Sequence, residues 1–168
     1  MQQLELTFAP EQPAHDTQIE AINAEAFGPG RFTRAASLIR EGGSHDLSLS
    51  FVAAMGGVVI GSVRLTQIKV GDTPALLLGP LAVRPEWKKH GIGSKLMRMS
   101  LEAARKAGHK LVVLVGDAAY YEQFGFRMVQ PGTMIMPAPV DPRRLLACEL
   151  VEGGLKGVHG VVRHINRG

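Results

Sequence analysis

Cysteine is nearly absent. Cys148 stands alone among 168 residues, so no internal disulfide can form, and a reducing cytoplasm is the expected compartment. Cys148 lies in an apolar, strand-like run, where a buried structural thiol is expected rather than a nucleophile. Aromatic residues make up only 5% of the chain. With few aromatic faces among its basic residues, the chain is poorly suited to stacking single-stranded nucleic acid. No apolar run reaches membrane-spanning length, and the polar start Met1-Gln2-Gln3 does not read as a signal peptide. The six histidines show no metal-ligand spacing, so no metal is expected. Internal repeats and domain linkers are missing as well.

What is present fits one globular domain over residues 1–168. Hydrophobic residues are 45% and charged residues 20%, and this length can bury a full core. We expect that core over about residues 4–151, followed by a glycine-rich, basic tail at 152–168. The formal net charge of +4 suits nucleic acid or an anionic cofactor. Much of the positive charge lies between Arg84 and Lys110.

Leu4 to Phe8 alternates and predicts a first strand. Asp16 is the expected N-cap of a helix with Ile19, Ile22, Ala26 and Phe27 on one face, stopped by Gly28-Pro29-Gly30. A second short helix is expected over Thr33–Glu41. Ser48–Met55 and Val58–Val70 predict two strands joined at Gly56-Gly57. Gly71-Asp72 then turns the chain into Ala75–Val83, an apolar strand interrupted by Gly79-Pro80. Proline cannot donate to a ladder, so that strand must bulge or break there. Leu111–Val115 is continuously apolar and predicts a strand buried on both faces, parallel to a neighbour. A short helix over Ala118–Phe124, strands over Met128–Met136 and Leu145–Val151, a stiff loop at Pro137–Pro142 and an edge strand within Val158–Ile165 complete the expectation. The order predicts an α+β fold: a mixed, mostly antiparallel sheet with a parallel pair near its centre.

Between the central strand and the long helix lies Lys88-Lys89-His90-Gly91-Ile92-Gly93-Ser94. Ile92, Leu96, Met99, Ala103 and Ala107 define the expected apolar stripe of that helix, and Gly108 its stop. A helix start carries free N–H groups and partial positive charge. Two glycines allow close approach and two lysines add charge, which together suit phosphate oxygens. The spacing excludes a P-loop, which needs Gly-Lys-Ser/Thr, and a Rossmann fingerprint, which needs glycine where Leu96 sits.

This turn resembles the coenzyme A-binding motif of the GNAT superfamily of N-acetyltransferases, Gln/Arg-x-x-Gly-x-Gly/Ala. Lys88 stands where that family usually has Gln or Arg. A second stretch, Tyr120-Tyr121-Glu122-Gln123-Phe124-Gly125-Phe126, resembles the family's Tyr-x-x-Phe/Leu-Gly-Phe. With Gly116-Asp117 ahead of it, it looks like an uncharacterised bacterial subgroup of predicted acetyltransferases. The resemblance covers nearly the whole chain and implies helices on both faces of the sheet, with the central parallel pair splayed by the bulge. It also implies acetyl-coenzyme A as acyl donor, held by Leu81, Ala82 and Val83, by Lys88, Lys89, His90, Gly91, Ile92, Gly93 and Ser94, and by Tyr120, Tyr121 and Phe124.

The resemblance further implies that Tyr121 protonates the leaving thiolate and that the Leu81 main chain stabilises the oxyanion. Many relatives carry a glutamate on the central strand as base, whereas Ala75–Val83 has no acid. Glu25 and Asp117 are the candidate bases, although Glu25 also reads as a solvated helix residue and Asp117 as a helix cap. The acceptor is expected to be a small-molecule or peptide amine, met by residues near Glu25–Arg34 and Met134–Arg144, with the protein acting as a monomer or homodimer. A coenzyme A-binding sensor of the same fold, which transfers nothing, is the alternative.

Overall fold

The computed structural model describes residues 5–166. Leu4, the polar start Met1-Gln2-Gln3 and the last two residues of the tail lie outside the described residues. Strands β1 (Leu6–Pro10), β2 (Phe51–Met55), β3 (Val58–Val70), β4 (Thr73–Val83), β5 (Leu111–Val115), β6 (Arg127–Met128), β7 (Met134–Ile135), β8 (Leu145–Glu149) and β9 (Gly160–His164) form the sheet. Its main path runs β1-β2-β3-β4-β5-β8-β6, with β9 joined to the end of β3 and to β7. Two of the pairings, β4–β5 and β7–β9, are parallel. The helices are α1 (Asp16–Phe27), α2 (Ala35–Arg40), α3 (Ile92–Lys106) and α4 (Ala118–Tyr121).

Strand alternation assigns the layers. On one side Leu76 and Leu78 pack with Val112, Leu114 and the α3 residues Ile92, Leu96 and Met97. On the other, Ala75 and Leu77 pack with Leu111, Val113 and Ile39 of α2. The α1 residues Ile19 and Ile22 cover Val52, Val59 and Ala82. Helices therefore lie on both faces of a mixed, mostly antiparallel sheet.

Several local expectations are revised. Asp16 begins α1 instead of capping it, because a 3-10 turn at Pro13–His15 leads straight into the helix. Thr33–Glu41 divides into a 3-10 turn at Pro29–Thr33 and the shorter α2. Likewise Ala118–Phe124 is α4 followed by a 3-10 turn at Glu122–Phe124. Residues Leu47–Leu49 form another such turn, with the Asp46 side chain accepting from Ser48 N, so β2 starts only at Phe51. Met128–Met136 is no continuous strand: Gly132 takes φ +86° and Thr133 N donates to Gln130 O, leaving two short strands around a turn.

The buried face of α3 is also rotated from the expected stripe. Met97, Ser100, Leu101 and Ala104 are buried beside Ile92 and Leu96, while Met99 and Ala103 are half-buried and Ala107 is exposed. Ser100 fits because its hydroxyl donates to Met97 O at 3.0 Å. The tail's expected edge strand is β9, which bonds to both β3 and β7; its Val162 and the preceding Val158 join the core.

Candidate active site

The site is built around one irregularity of β4. Val63 pairs with Leu81 and Leu65 with Leu78, so Arg64 alone faces Gly79 and Pro80. Two residues opposing one make a bulge, which bends the bulged strand. The effect reaches the parallel pair. β4 and β5 pair only at Leu76–Val112 and Leu77–Val113, although β5 continues to Val115. Beyond Leu77 the two strands part.

The backbone of the opened edge can be assigned by alternation. Arg84 N donates to Ile60 O at 2.8 Å. In an antiparallel ladder, alternate residues turn their N–H and C=O to opposite edges. Ala82 therefore shares the β3 side with Arg84, whereas Leu81 and Val83 turn their main chains to the opened edge. Ala82 also buries its side chain under α1.

Near the end of β4, Gly91 (φ +75°) caps the start of α3, and Lys89 is the one non-glycine residue among those described with positive φ, at 72°. Lys88, Lys89 and His90 are exposed, whereas Ile92 is buried and offers only its amide to the turn. The first-turn amides of α3 have no carbonyl partner within the helix. Ser94 Oγ accepts from Arg98 Nη1. The second tyrosine borders this corner: a Cβ on Gly93 would lie 3.4 Å from Tyr120 Oη.

Tyr121 sits across the wedge from Leu81. Both residues line a cavity of about 930 Å³ together with Leu78, Gly79, Pro80 and Leu114. The Tyr121 ring packs edge-on against Tyr120 at 4.9 Å and Phe126 at 6.0 Å between centroids. Phe124 packs edge-on against Tyr120 at 5.5 Å between centroids and is buried. Burial, reinforced by Tyr120, pushes the Tyr121 hydroxyl up to about 12, with Arg144 opposing the rise. The hydroxyl thus stays protonated throughout the neutral range. Gly116 is required for this placement, since a Cβ there would approach Tyr121 Cε2 to 2.5 Å.

The two carboxylates considered as bases stand apart from this cavity. Glu25 is half-exposed and pairs with Arg84 Nη1 at 3.7 Å. Asp117 caps α4, accepting from Ala119 N at 3.0 Å. Neither is among the residues lining the cavity. Among the described residues no group of His, Cys, Asp or Glu is arranged to hold a metal.

A set of charges that the sequence reading did not single out lies in the cavity instead. Arg64 gives Nε to Glu11 Oε1 at 3.0 Å, Nη2 to Asp16 Oδ1 at 2.9 Å and Nη1 to Glu20 Oε1 at 3.1 Å. His45 Nε2 meets Glu11 Oε2 at 2.7 Å. Burial alone would raise the Glu11 pKa, but the bonds from His45 and Arg64 outweigh it and hold the carboxyl below its ordinary value. Residues 11, 16, 20, 45 and 64 share no local pattern; only the proline-made bulge hinted at special chemistry opposite Arg64. The segments expected to meet the acceptor are both present, represented by Phe27, Arg31 and Arg34 and by Pro139, Val140 and Arg144.

The sequence model of the acetyltransferase (GNAT) domain matches residues 46–128. YjhQ of Escherichia coli K12, an uncharacterized N-acetyltransferase, is 30% identical over 81% of this chain and 77% of its own length. The chain belongs to the GNAT acetyltransferase family. The crystal structure of E. coli YhbS, a GNAT family N-acetyltransferase in complex with CoA, superposes with a TM-score of 0.81 at 26% identity, covering 98% of this chain and 92% of that one. A GNAT family acetyltransferase from Brucella melitensis, in complex with acetyl-CoA, gives a TM-score of 0.61 at 27% identity over 85% of this chain and 95% of that one. In this GNAT chain the parted strands and Tyr121 line one cavity, and Gly93 of the glycine turn lies beside Tyr120 and Val83.

Proposed function

We propose that this chain, acting as one domain, transfers an acetyl group from acetyl-coenzyme A to a primary amine by direct attack in a ternary complex. The observation that carries the reading is the parting of β4 from β5 beside a cavity that contains Tyr121. An extended amide chain such as pantetheine can add to the opened edge through the Leu81 and Val83 main chains. The diphosphate is assigned to the amides of Gly91, Ile92, Gly93 and Ser94, with Lys88, Lys89 and His90 around it. Tyr120 and Phe124 border the glycine turn, and Ala82 supports the strand from the β3 side.

In this reading the amine nitrogen attacks the thioester carbonyl carbon, and the Leu81 N–H stabilises the developing oxyanion. The carbon–sulfur bond then breaks, and Tyr121 gives its hydroxyl proton to sulfur. The proton lost by the amine passes to water, directly or by way of Glu25 or Asp117. Tyr121 recovers its proton from solvent. No covalent enzyme intermediate is needed. A reducing cytoplasm suits the buried Cys148 thiol, and the cavity lies within a single chain, so a monomer or a homodimer can operate.

The test is Tyr121→Phe with release of free thiol as readout. General acid catalysis contributes about 10²- to 10⁴-fold, so turnover should fall within that range while acetyl-coenzyme A affinity stays near its original value. Unchanged turnover removes Tyr121 from the acid role. If acetyl-coenzyme A binds but no amine in a broad panel releases thiol, the sensor reading replaces the enzyme.

A further inference from the structure

The carboxylates lining the cavity are already engaged. Glu11, Asp16 and Glu20 converge on Arg64, and Asp141 pairs with Arg143 Nη2 at 2.9 Å. One half-buried cation is in the opposite position. Arg40, the last residue of α2, lines the same cavity, and its guanidinium makes no ion pair or hydrogen bond among the described residues. It stands against the bulge: a Cβ on Gly79 would lie 3.6 Å from Arg40 Nη1. Burial, joined by the like charge of Arg64 and partly offset by Glu20, lowers its pKa to about 10. A partly dehydrated guanidinium without a carboxylate is costly, because its lost hydration is not replaced.

A second side chain in the cavity is unsatisfied too. Thr66 is on β3, two residues beyond Arg64 and hence on the same face of the strand. It is fully buried, and its Oγ1 has no hydrogen-bond partner among the described residues. A hydroxyl is a donor as well as an acceptor. The cavity thus holds a half-buried guanidinium beside the bulge that precedes Leu81 and a buried hydroxyl donor, each with nothing to bind; the other unpartnered buried side-chain atom lining it, Asn23 Oδ1, is an acceptor on α1.

We propose that Arg40 and the Thr66 hydroxyl form an oxyanion-binding subsite, so that the acceptor is a small amine that also carries a carboxylate or a phosphate. The anion sits beside Gly79, and the amine end of the molecule reaches the wedge between Leu81 and Tyr121. Asp16 and Glu20, shared with Arg64, line the α1 side and favour the amine end over a second anion. The inference rests on the acetyltransferase reading and refines it by naming the acceptor's chemistry.

The experiment compares four acceptors with wild-type protein and with Arg40→Gln: 4-aminobutyrate, phosphoethanolamine, butylamine and putrescine. Thiol release gives kcat and KM for each. A hydrogen bond to a charged group is worth about 10- to 100-fold in affinity. Wild type should therefore prefer one or both anionic amines over butylamine by at least about 10-fold in kcat/KM. Preference for 4-aminobutyrate names a carboxylate, and preference for phosphoethanolamine a phosphate. Arg40→Gln should erase the preference by raising KM for the anionic amines, leaving KM for acetyl-coenzyme A unchanged. Arg40→Lys, which keeps the charge without the fork, should restore part of it. Equal or better use of butylamine or putrescine overturns the subsite while the enzyme reading stands. If no amine releases thiol, the enzyme reading fails and thermal shift decides the subsite. The anionic amines must then stabilise wild type but not Arg40→Gln, and equal shifts in both overturn it.

Discussion

Gly116→Ala tests the placement of Tyr121 without removing its hydroxyl. Gly116 links β5 to the cap of α4 and donates its N–H to Arg144 O at 2.9 Å. A methyl group there would lie 2.5 Å from Tyr121 Cε2, 3.0 Å from Cδ2 and 3.2 Å from Leu114 Cδ1. Ordinary carbon contacts lie at about 3.5–4.0 Å, so the ring must retreat by about 1 Å. It cannot do so freely, because Tyr120 and Phe126 hold it edge-on from other sides. Overpacking of this kind costs about 1–3 kcal/mol, and a misplacement near 1 Å lowers turnover by about 10²-fold. We expect a fall in Tm of several degrees, a loss of kcat of that order, and acetyl-coenzyme A affinity near the wild-type value. Gly154→Ala is the control: its Cβ would meet Lys110 O at 2.5 Å, far along the chain from the tyrosine motif, so it should destabilise comparably yet keep kcat. Wild-type kcat in Gly116→Ala would refute the claim that a fixed Tyr121 hydroxyl is the proton donor.

Two further outcomes follow from the buried charges. Arg64→Met should destabilise by about 3–5 kcal/mol in urea unfolding, because it leaves the Glu11 carboxylate, only 4% exposed, with His45 as its remaining partner; Arg64→Met combined with Glu11→Gln should be more stable than Arg64→Met alone, and equal stability would show that the pair is not coupled. The pH dependence has a definite sign at each end. Glu11, whose pKa the His45 and Arg64 bonds hold below the ordinary value of 4.5, contributes stability that is present above that value and lost as pH falls through its folded pKa. Tyr121, raised by burial to about 12, contributes stability present below 10.0 and lost as pH rises towards 12. Turnover should accordingly show no descending limb from Tyr121 near pH 10, and a limb there that disappears in Tyr121→Phe would contradict the buried placement.

The strands were legible because their signals are local. The hairpin at Gly56-Gly57, the apolar run of β5 and the punctuation at Gly79-Pro80 each involve neighbours in sequence, and each is in the fold. The Met128–Met136 expectation failed for an equally local reason: Pro131-Gly132 favours a turn, which overrode the apolar residues on either side. The α3 stripe failed because Ala103 and Ala107 count as apolar yet contribute little area, while the small Ser100 satisfies its own hydroxyl and can be buried. Asp117 showed the reverse case, where the plain expectation of a cap is what its contacts display. The charge network was not readable at all. Its members come from β1's exit, α1, a loop and β3, and only the pairing of distant strands brings them together.

The position of Arg64 explains why this network and the bulge belong together. A regular ladder would set one β4 side chain beside each β3 side chain and cover the sheet face with apolar area. At the bulge two residues, one of them glycine, replace one, so the face opposite Arg64 loses its cover. An apolar residue at 64 would then border the cavity with nothing packed on it, whereas a guanidinium can bridge the gap by reaching the carboxylates of α1. It binds Asp16 and Glu20, one turn apart on that helix, and Glu11 just before it. The start of α1 is therefore tied to β3 by charge, and its later part by Ile19 and Ile22 packing on Val52, Val59 and Ala82. The two attachments separate two tasks. The glycine turn and the parted strands sit on α3 and β4, whereas the proposed acceptor wall on α1 and α2 is held by Arg64 and by the packing of Ile19, Ile22 and Ile39. If the proposed function holds, substitutions along that wall should change which amine is used while leaving the corner between β4 and α3 in place.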